Sequence, residues 1–399
     1  MTTDSLTVSD TVSDAAFSAA VDHVIDQALS QQRLVGTVVL VAHHGRLIYR
    51  RAAGQADRET ARAMQEDTLF RLASMSKPIV SVAAMVLVAQ GRLDADADIR
   101  RWLPDFQPRM ADGSRPLISA RQLLSHTAGL GYRFLEADES GPYAQAGVSD
   151  GMDLAGISLS ENLRRIASVP LLYPPGCGWG YSLATDVLGG LIASLCDQPL
   201  EDAIQTLVTG PLAMSDTGFS TRDAQRLAVP YISHQPLPRR MQAQDRVAPF
   251  EGTVGIRFAP ARALDPAAFP SGGAGMVGSA GDFLRLLELL RAGGAPLLPA
   301  AQVAEMARDH SAGYVLPDPG FGFGLGFSVL RDPLAAASPE SPGSWRWGGA
   351  YGHSWFVDRG RGLSVVALTN TLYEGMSGRF VTDLRDAICG QIAAVGQLA

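Results

Sequence analysis

Two groups of β-branched, apolar residues lie at opposite ends of this chain, and any sheet that uses both must pair segments far apart in sequence. Near the start, residues 36–42 (GTVVLVA) and 46–53 read as a hairpin turning at His44-Gly45. Near the end, residues 322–330, 344–348, 353–358 and 363–369 have strand character, the last two joined across Arg359-Gly360-Arg361. Between them, from about 92 to 249, helical segments are broken by many Gly and Pro loops and show little strand pattern. Helical spacing recurs at 15–31 (Phe17, Val21, Val24, Ile25, Leu29), at 282–291 and at 381–395. This order predicts an α/β (α+β) fold with one antiparallel sheet assembled from both termini and flanked by helices. Residues 1–91 and 250–399 are expected to form a discontinuous α/β domain, with 92–249 inserted as a mainly helical one. A cleft between the two is where a small-molecule site is expected.

Within the first part, Ser74-Met75-Ser76-Lys77 follows a short β-like run at 68–72 and opens an apolar helical stretch at 78–90. Positions three apart share a helix face, so the Ser74 hydroxyl and the Lys77 amine should sit side by side. A serine is a poor nucleophile until a neighbouring base removes its proton. An amine can do so where burial or nearby positive charge favours its neutral form, and the N-terminus of a buried helix supplies both. Pro78 suits a first turn, where its missing N–H costs nothing. The same four residues also fit an ordinary N-cap at Ser74 or Ser76 beside a solvated lysine. Against that, the run from Ile79 to Val88 is apolar almost all round, which marks a buried helix. A lysine at the mouth of such a helix is costly unless it serves a purpose.

Charge and cysteine usage exclude several classes. The formal charge of -7 carries no basic cluster, which argues against nucleic acid as a partner. Cys177, Cys196 and Cys389 are widely spaced, so neither a disulfide framework nor a zinc site is suggested and a reducing compartment is acceptable. The seven histidines show no metal-ligand spacing, and no metal or other cofactor is expected. Residues 1–14 are rich in Ser, Thr and Asp, without the basic start and apolar core of a signal peptide. The apolar run at 79–89 is too short to span a membrane. A cytoplasmic enzyme with a small-molecule substrate, no membrane partner and no obligate protein partner is therefore expected.

A second serine motif competes with the first. Gly147-Val148-Ser149-Asp150-Gly151 matches G-x-S-x-G, which needs a strand before the serine and a helix after it. Neither flank has that pattern, and no parallel βαβ series surrounds it, so a flexible surface loop is the expectation here.

Further segments join the first motif. Residues 118–130 (ISARQLLSHTAGL) strongly resemble a signature segment of the serine β-lactamase and penicillin-binding protein superfamily. Gly180-Tyr181-Ser182-Leu183 sits where that superfamily has its Y-x-N motif. Gly272-Gly273-Ala274-Gly275-Met276 resembles its later glycine-rich turn, and Trp347-Gly348-Gly349 occupies the place of its K-T-G box. Order and spacing agree from about residue 20 to the end. Two departures matter: Leu183 replaces the asparagine of Y-x-N, and Trp347 replaces the lysine of K-T-G. An indole in place of an ammonium removes an anion-binding charge, so a β-lactam should be held poorly. The combination resembles a family VIII carboxylesterase.

That resemblance implies a β-lactamase/transpeptidase-like fold and a serine carboxylesterase acting on short-chain esters, acetyl esters on cephalosporin side arms among them. It also implies that Ser74 is acylated, with Lys77 and Tyr181 as the groups that move its proton. The oxyanion donors would be the N–H groups of Ser74 and Ala350, with Trp347, Gly348 and Gly349 bordering the substrate. His353, Trp179 and Tyr132 are further candidates for the substrate surface, whereas His126 suits a structural hydrogen bond. A β-lactamase, D-aminopeptidase or D,D-peptidase using the same serine, lysine and tyrosine is the alternative.

Overall fold

The computed structural model describes residues 7–311 and 313–396 and has an eight-stranded antiparallel sheet at its centre. Its strands are β1 (Gly36–His43), β2 (Arg46–Asp57), β3 (Arg62–Ala63), β4 (Phe321–Phe323), β5 (Ser328–Leu330), β6 (Trp345–Gly349), β7 (His353–Asp358) and β8 (Leu363–Thr369). Their order is β4-β5-β6-β7-β8-β1-β2-β3, so the N-terminal hairpin joins the C-terminal strands at the β8–β1 seam. There Val38 faces Leu368 and Val39 faces Ala367 in an antiparallel ladder.

Both faces of this sheet are covered, which is why 36–42 and 363–369 read as largely apolar runs rather than alternating ones. Side chains alternate across a strand. Val38 and Leu40 of β1, with Val366 and Leu368 of β8, point into the larger core. That core also holds helices α2 (Ser76–Ala89), α3 (Ala184–Cys196) and α4 (Ala280–Arg291). Val39, Val41, Val365 and Ala367 point the other way. They pack on Phe17, Val21 and Ile25 of α1 (Thr7–Ser30) and on Phe380, Leu384 and Ile388 of α5 (Arg379–Gly396).

The expected strand at 322–330 is in fact two short strands, β4 and β5, paired as a tight hairpin. Gly324-Leu325-Gly326 breaks it. Gly326 has φ +104°, and a side chain there would run into Ser81 of α2. The run at 68–72 contributes only Phe70–Arg71, which pairs with Val277–Gly278. The stretch from 92 to 249 is helical and looped, with the two-residue strands Tyr231–Ile232, Arg239–Arg240 and Arg246–Val247. One of these pairs with Thr371–Leu372, just beyond β8. Helix α2 lies within the larger core, buried from Ser76 to Leu87. Its N-terminus therefore opens where the sheet edge, α3 and the looped segment meet.

Candidate active site

The segment before α2 is held from three sides. Phe70–Arg71 is paired to Val277–Gly278, and the Leu72 N–H donates to the Met276 carbonyl at 2.8 Å. Ser76 Oγ donates to Ala73 O at 2.7 Å and accepts from the Met276 N–H at 3.1 Å. His353 Nε2 donates to the Arg71 carbonyl at 2.8 Å. These ties hold Ala73 at φ +48°, a left-handed conformation that non-glycine residues adopt only when their surroundings impose it. The next residue is Ser74, in a single 3-10 turn (Ala73–Met75) that leads into α2.

Tyr181 and Lys77 converge on this serine. Ser74 Oγ and the Tyr181 hydroxyl are 2.6 Å apart. Lys77 Nζ is 3.4 Å from Ser74 Oγ and donates to the Gly273 carbonyl at 2.8 Å. The lysine is 0% exposed, and its ammonium lies 4.6 Å from the Tyr181 ring centroid and 5.5 Å from that of Tyr132. The helix spacing of Ser74 and Lys77 thus has the expected result, and a phenol from a distant segment completes the group.

The 118–130 segment positions that phenol. Ser119 and Gln122 form a reciprocal capping box at the start of helix Ala120–Leu124. The chain then turns at His126, with φ +58°. The His126 carbonyl accepts from the Gly180 N–H at 3.0 Å, and its Nδ1 lies 3.0 Å from Ser182 Oγ. Tyr181 is therefore clamped on both sides. Burial, and then the Lys77 charge, push the His126 pKa well below the usual histidine range, so the ring is a neutral support.

A buried carboxylate that the sequence reading did not single out lies beside the lysine. Asp186, in the first turn of α3, is 0% exposed and accepts from Ser271 Oγ at 2.6 Å, while its Oδ2 has no hydrogen-bond partner. Burial raises its pKa; the Ser271 hydrogen bond and the Lys77 charge act in the opposite direction. A side chain at residue 273 would collide with this oxygen. Glycine at 273 thus lets the turn lie against Asp186 while its carbonyl receives Lys77. The glycine-rich turn was visible in the sequence, and a carboxylate inside the apolar run of α3 was the available signal for its partner.

The walls are aromatic. Trp347 on β6 lies 5.3 Å from Tyr181 and 5.2 Å from Phe323, and Phe323 lies 5.6 Å from Trp179. Trp179 and Tyr181 both flank His126, at 6.4 and 5.1 Å. Phe323 went unnoticed in the sequence because nothing there links β4 to the site. Gly348 and Gly349 are tightly enclosed: a side chain would meet the His353 carbonyl at the first and the Leu72 carbonyl at the second. Glycine here lets β6 run directly against the segment before Ser74. Ala350 follows in the turn to β7 and is buried.

Two expected substrate-surface residues lie behind the site instead. His353 is 0% exposed, and its imidazole holds the Arg71 carbonyl; burial lowers its pKa to about 4. Tyr132 is 3% exposed and packs its ring 5.0 Å from that of Tyr181. The flexible loop expected around Ser149 is also corrected. Ser149 is 1% exposed, its N–H and carbonyl are both bonded to the Asn162 side chain, and its hydroxyl donates to Asp153. The Asp150 carboxylate accepts from the Arg133 and Phe134 N–H groups, so this turn is a buried structural junction. No group of three or more His, Cys, Asp or Glu side chains among the described residues could hold a metal ion.

Comparison with known proteins places these features in context. The family model described as Beta-lactamase matches residues 21–389. The chain is 53% identical to Esterase EstB of Burkholderia gladioli over 364 residues, covering 90% of this chain and 92% of that protein. It is 32% identical to Protein Rv1367c of Mycobacterium tuberculosis, covering 84% of this chain and 85% of that one. Among solved structures, EstCE1, described as a hydrolase with promiscuous acyltransferase activity, superposes with a TM-score of 0.92 at 45% identity. That match covers 95% of this chain and all (100%) of EstCE1.

Proposed function

Because the chain belongs to the beta-lactamase family, we propose that it uses the family's serine chemistry as a carboxylic ester hydrolase, with short-chain esters as substrates. The observation that carries this reading is the meeting of the Ser74 hydroxyl, the Tyr181 phenol and the buried Lys77 ammonium at 2.6 and 3.4 Å. Ser74 attacks the ester carbonyl. Its proton passes to the oxygen of Tyr181, the nearer of the two groups, while the phenol's own proton passes on to the departing alcohol. Lys77, held by the Gly273 carbonyl with its ammonium over the Tyr181 ring, keeps a positive charge beside this proton path. Water then enters by the reverse proton path and releases the acid. The N–H groups of Ser74 and Ala350 receive the oxyanion, the first at the mouth of α2 and the second in the turn after β6. Such donors contribute roughly 3–4 kcal/mol to the transition state.

The aromatic wall supports esters over β-lactams. Trp347 fills the place where a cationic side chain would bind a drug's carboxylate, and it packs on Tyr181 and Phe323 instead. The similarity to Esterase EstB supports the same preference. Within the family, the S-x-x-K, tyrosine and W-G-G set fits family VIII carboxylesterases, and acetyl esters of cephalosporins fall within the substrate class. The discontinuous domain (1–91 and 250–399) with an insertion at 92–249, and a cytoplasmic location, belong to this reading; no helix among the described residues is long and apolar enough to cross a membrane. The test compares hydrolysis of p-nitrophenyl acetate and butyrate with opening of a chromogenic cephalosporin. Ester turnover that Ser74→Ala abolishes, with little or no ring opening, is expected. Faster ring opening than ester turnover would reverse the assignment.

A further inference from the structure

Beside the turn that carries Ala350 lies a small cavity of about 20 Å³ bordered by Arg71, Arg262, Tyr351, Gly151 and Met276. Its two arginines are unusual. Arg71 donates to the Pro260 and Ala228 carbonyls, both at 2.8 Å. Arg262 donates to the carbonyls of Asp153 and Phe269. Neither guanidinium forms an ion pair with a carboxylate among the described residues, although Asp153, Asp186 and Asp265 lie within the longer-range field of Arg262. Arg262 is 7% exposed, and its Nε, on the cavity side chain, is buried without any hydrogen-bond partner. A buried cation without an opposite charge is costly. The Tyr351 ring covers Arg71 at 5.9 Å.

We propose that this niche is a binding site for a small monatomic anion, a halide such as chloride, held between the Arg71 and Arg262 guanidinium groups beside Tyr351. The size agrees: a guest the size of one water needs roughly 10–15 Å³ of such space, which leaves no room for an oxyanion as large as sulfate. The charge agrees too, since two cations border the niche and no acidic side chain among the described residues does. The location gives the site a consequence. Arg71 lies three residues before Ser74, and Tyr351 directly follows Ala350, so the bound halide fixes the two backbone segments that flank the reaction centre.

The experiment follows thermal unfolding of the full chain while sodium bromide replaces sodium gluconate at constant ionic strength. The expected result is a saturable rise in Tm of at least about 2 °C with bromide and none with gluconate. Arg262→Met should abolish the response. Should that variant fail to fold, Tyr351→Phe and Arg71→Met should move the bromide midpoint upward several-fold. Crystals grown in bromide should show anomalous density between the two guanidinium groups. Equal Tm values in the two salts, an unchanged midpoint in the variants, or water alone in the niche would overturn the proposal.

Discussion

The hydroxyl of Tyr181 stands 2.6 Å from Ser74 Oγ, closer than the Lys77 ammonium at 3.4 Å, although 107 residues separate the two in sequence. The phenol is thus the group in closest contact with the nucleophile, and the amine makes a longer hydrogen bond to the same oxygen. Tyr181→Phe keeps the ring and its packing on Trp347 and Tyr132 but removes the proton acceptor. It should lower kcat on p-nitrophenyl butyrate by roughly 10²–10⁴-fold with little change in KM. Retention of wild-type kcat would remove Tyr181 from the proton path.

Lys77 depends on a backbone carbonyl that only a glycine can present. Gly273→Ala puts a methyl group against the Asp186 carboxylate and displaces the carbonyl that holds Nζ. Overpacking of this kind costs about 1–3 kcal/mol of stability. A shift of about 1 Å at the reacting group costs up to about 100-fold in rate, so kcat should fall further than stability does. Steady-state kinetics and a denaturant titration on the same variant separate the two effects.

Ser149 makes the opposite prediction. Its hydroxyl donates to Asp153 and accepts from the Gly151 N–H, and it is remote from the Ser74 group in its bonding. Ser149→Ala leaves the part-buried Asp153 acceptor and the buried Gly151 N–H donor unpaired, a loss of about 1–3 kcal/mol. Specific activity of the folded fraction should be unchanged. A large fall in kcat at intact stability would make the G-x-S-x-G serine the nucleophile.

Acid should weaken the fold through His353. Unfolded, its imidazole takes a proton near the ordinary value of 6.5; folded, burial delays this to about 4. Between these values the unfolded chain binds more protons. Stability present above pH 6.5 is therefore lost progressively as pH falls toward 4, by up to about 3 kcal/mol from this group. His126, whose pKa is also pushed down by burial, acts in the same direction. His353→Gln keeps a donor toward the Arg71 carbonyl and should reduce the pH slope by up to one proton. Denaturant midpoints at several pH values between 4 and 7 measure it.

The parts of this architecture that could be read from sequence are those governed by local periodicity. Residues 38–42 and 365–368 are apolar at every position because both faces of their strands are covered, and the Ser74–Lys77 spacing follows from one helical turn. What could not be read depends on side-chain direction across long separations. Asp186 gains its meaning from Ser271, 85 residues away, and nothing near it in the chain announces that partner. His353 was close to Trp347-Gly348-Gly349 in sequence, but its position on β7 turns the imidazole inward to Arg71. The split of 322–330 into two strands hinged on Gly326, whose φ of +104° a hydropathy pattern does not register. Ser149 looked like a loop residue because glycines surround it, whereas Asn162 on the helix Leu159–Ser168 draws it into the interior.

Reaction of the active enzyme with a fluorophosphonate, followed by mass mapping of the modified peptide, tests the central claim most directly. A single adduct on Ser74, absent in Ser74→Ala and formed much more slowly in Tyr181→Phe, is the predicted result. An adduct on Ser149, or full labelling that survives loss of the Ser74 hydroxyl, would contradict it.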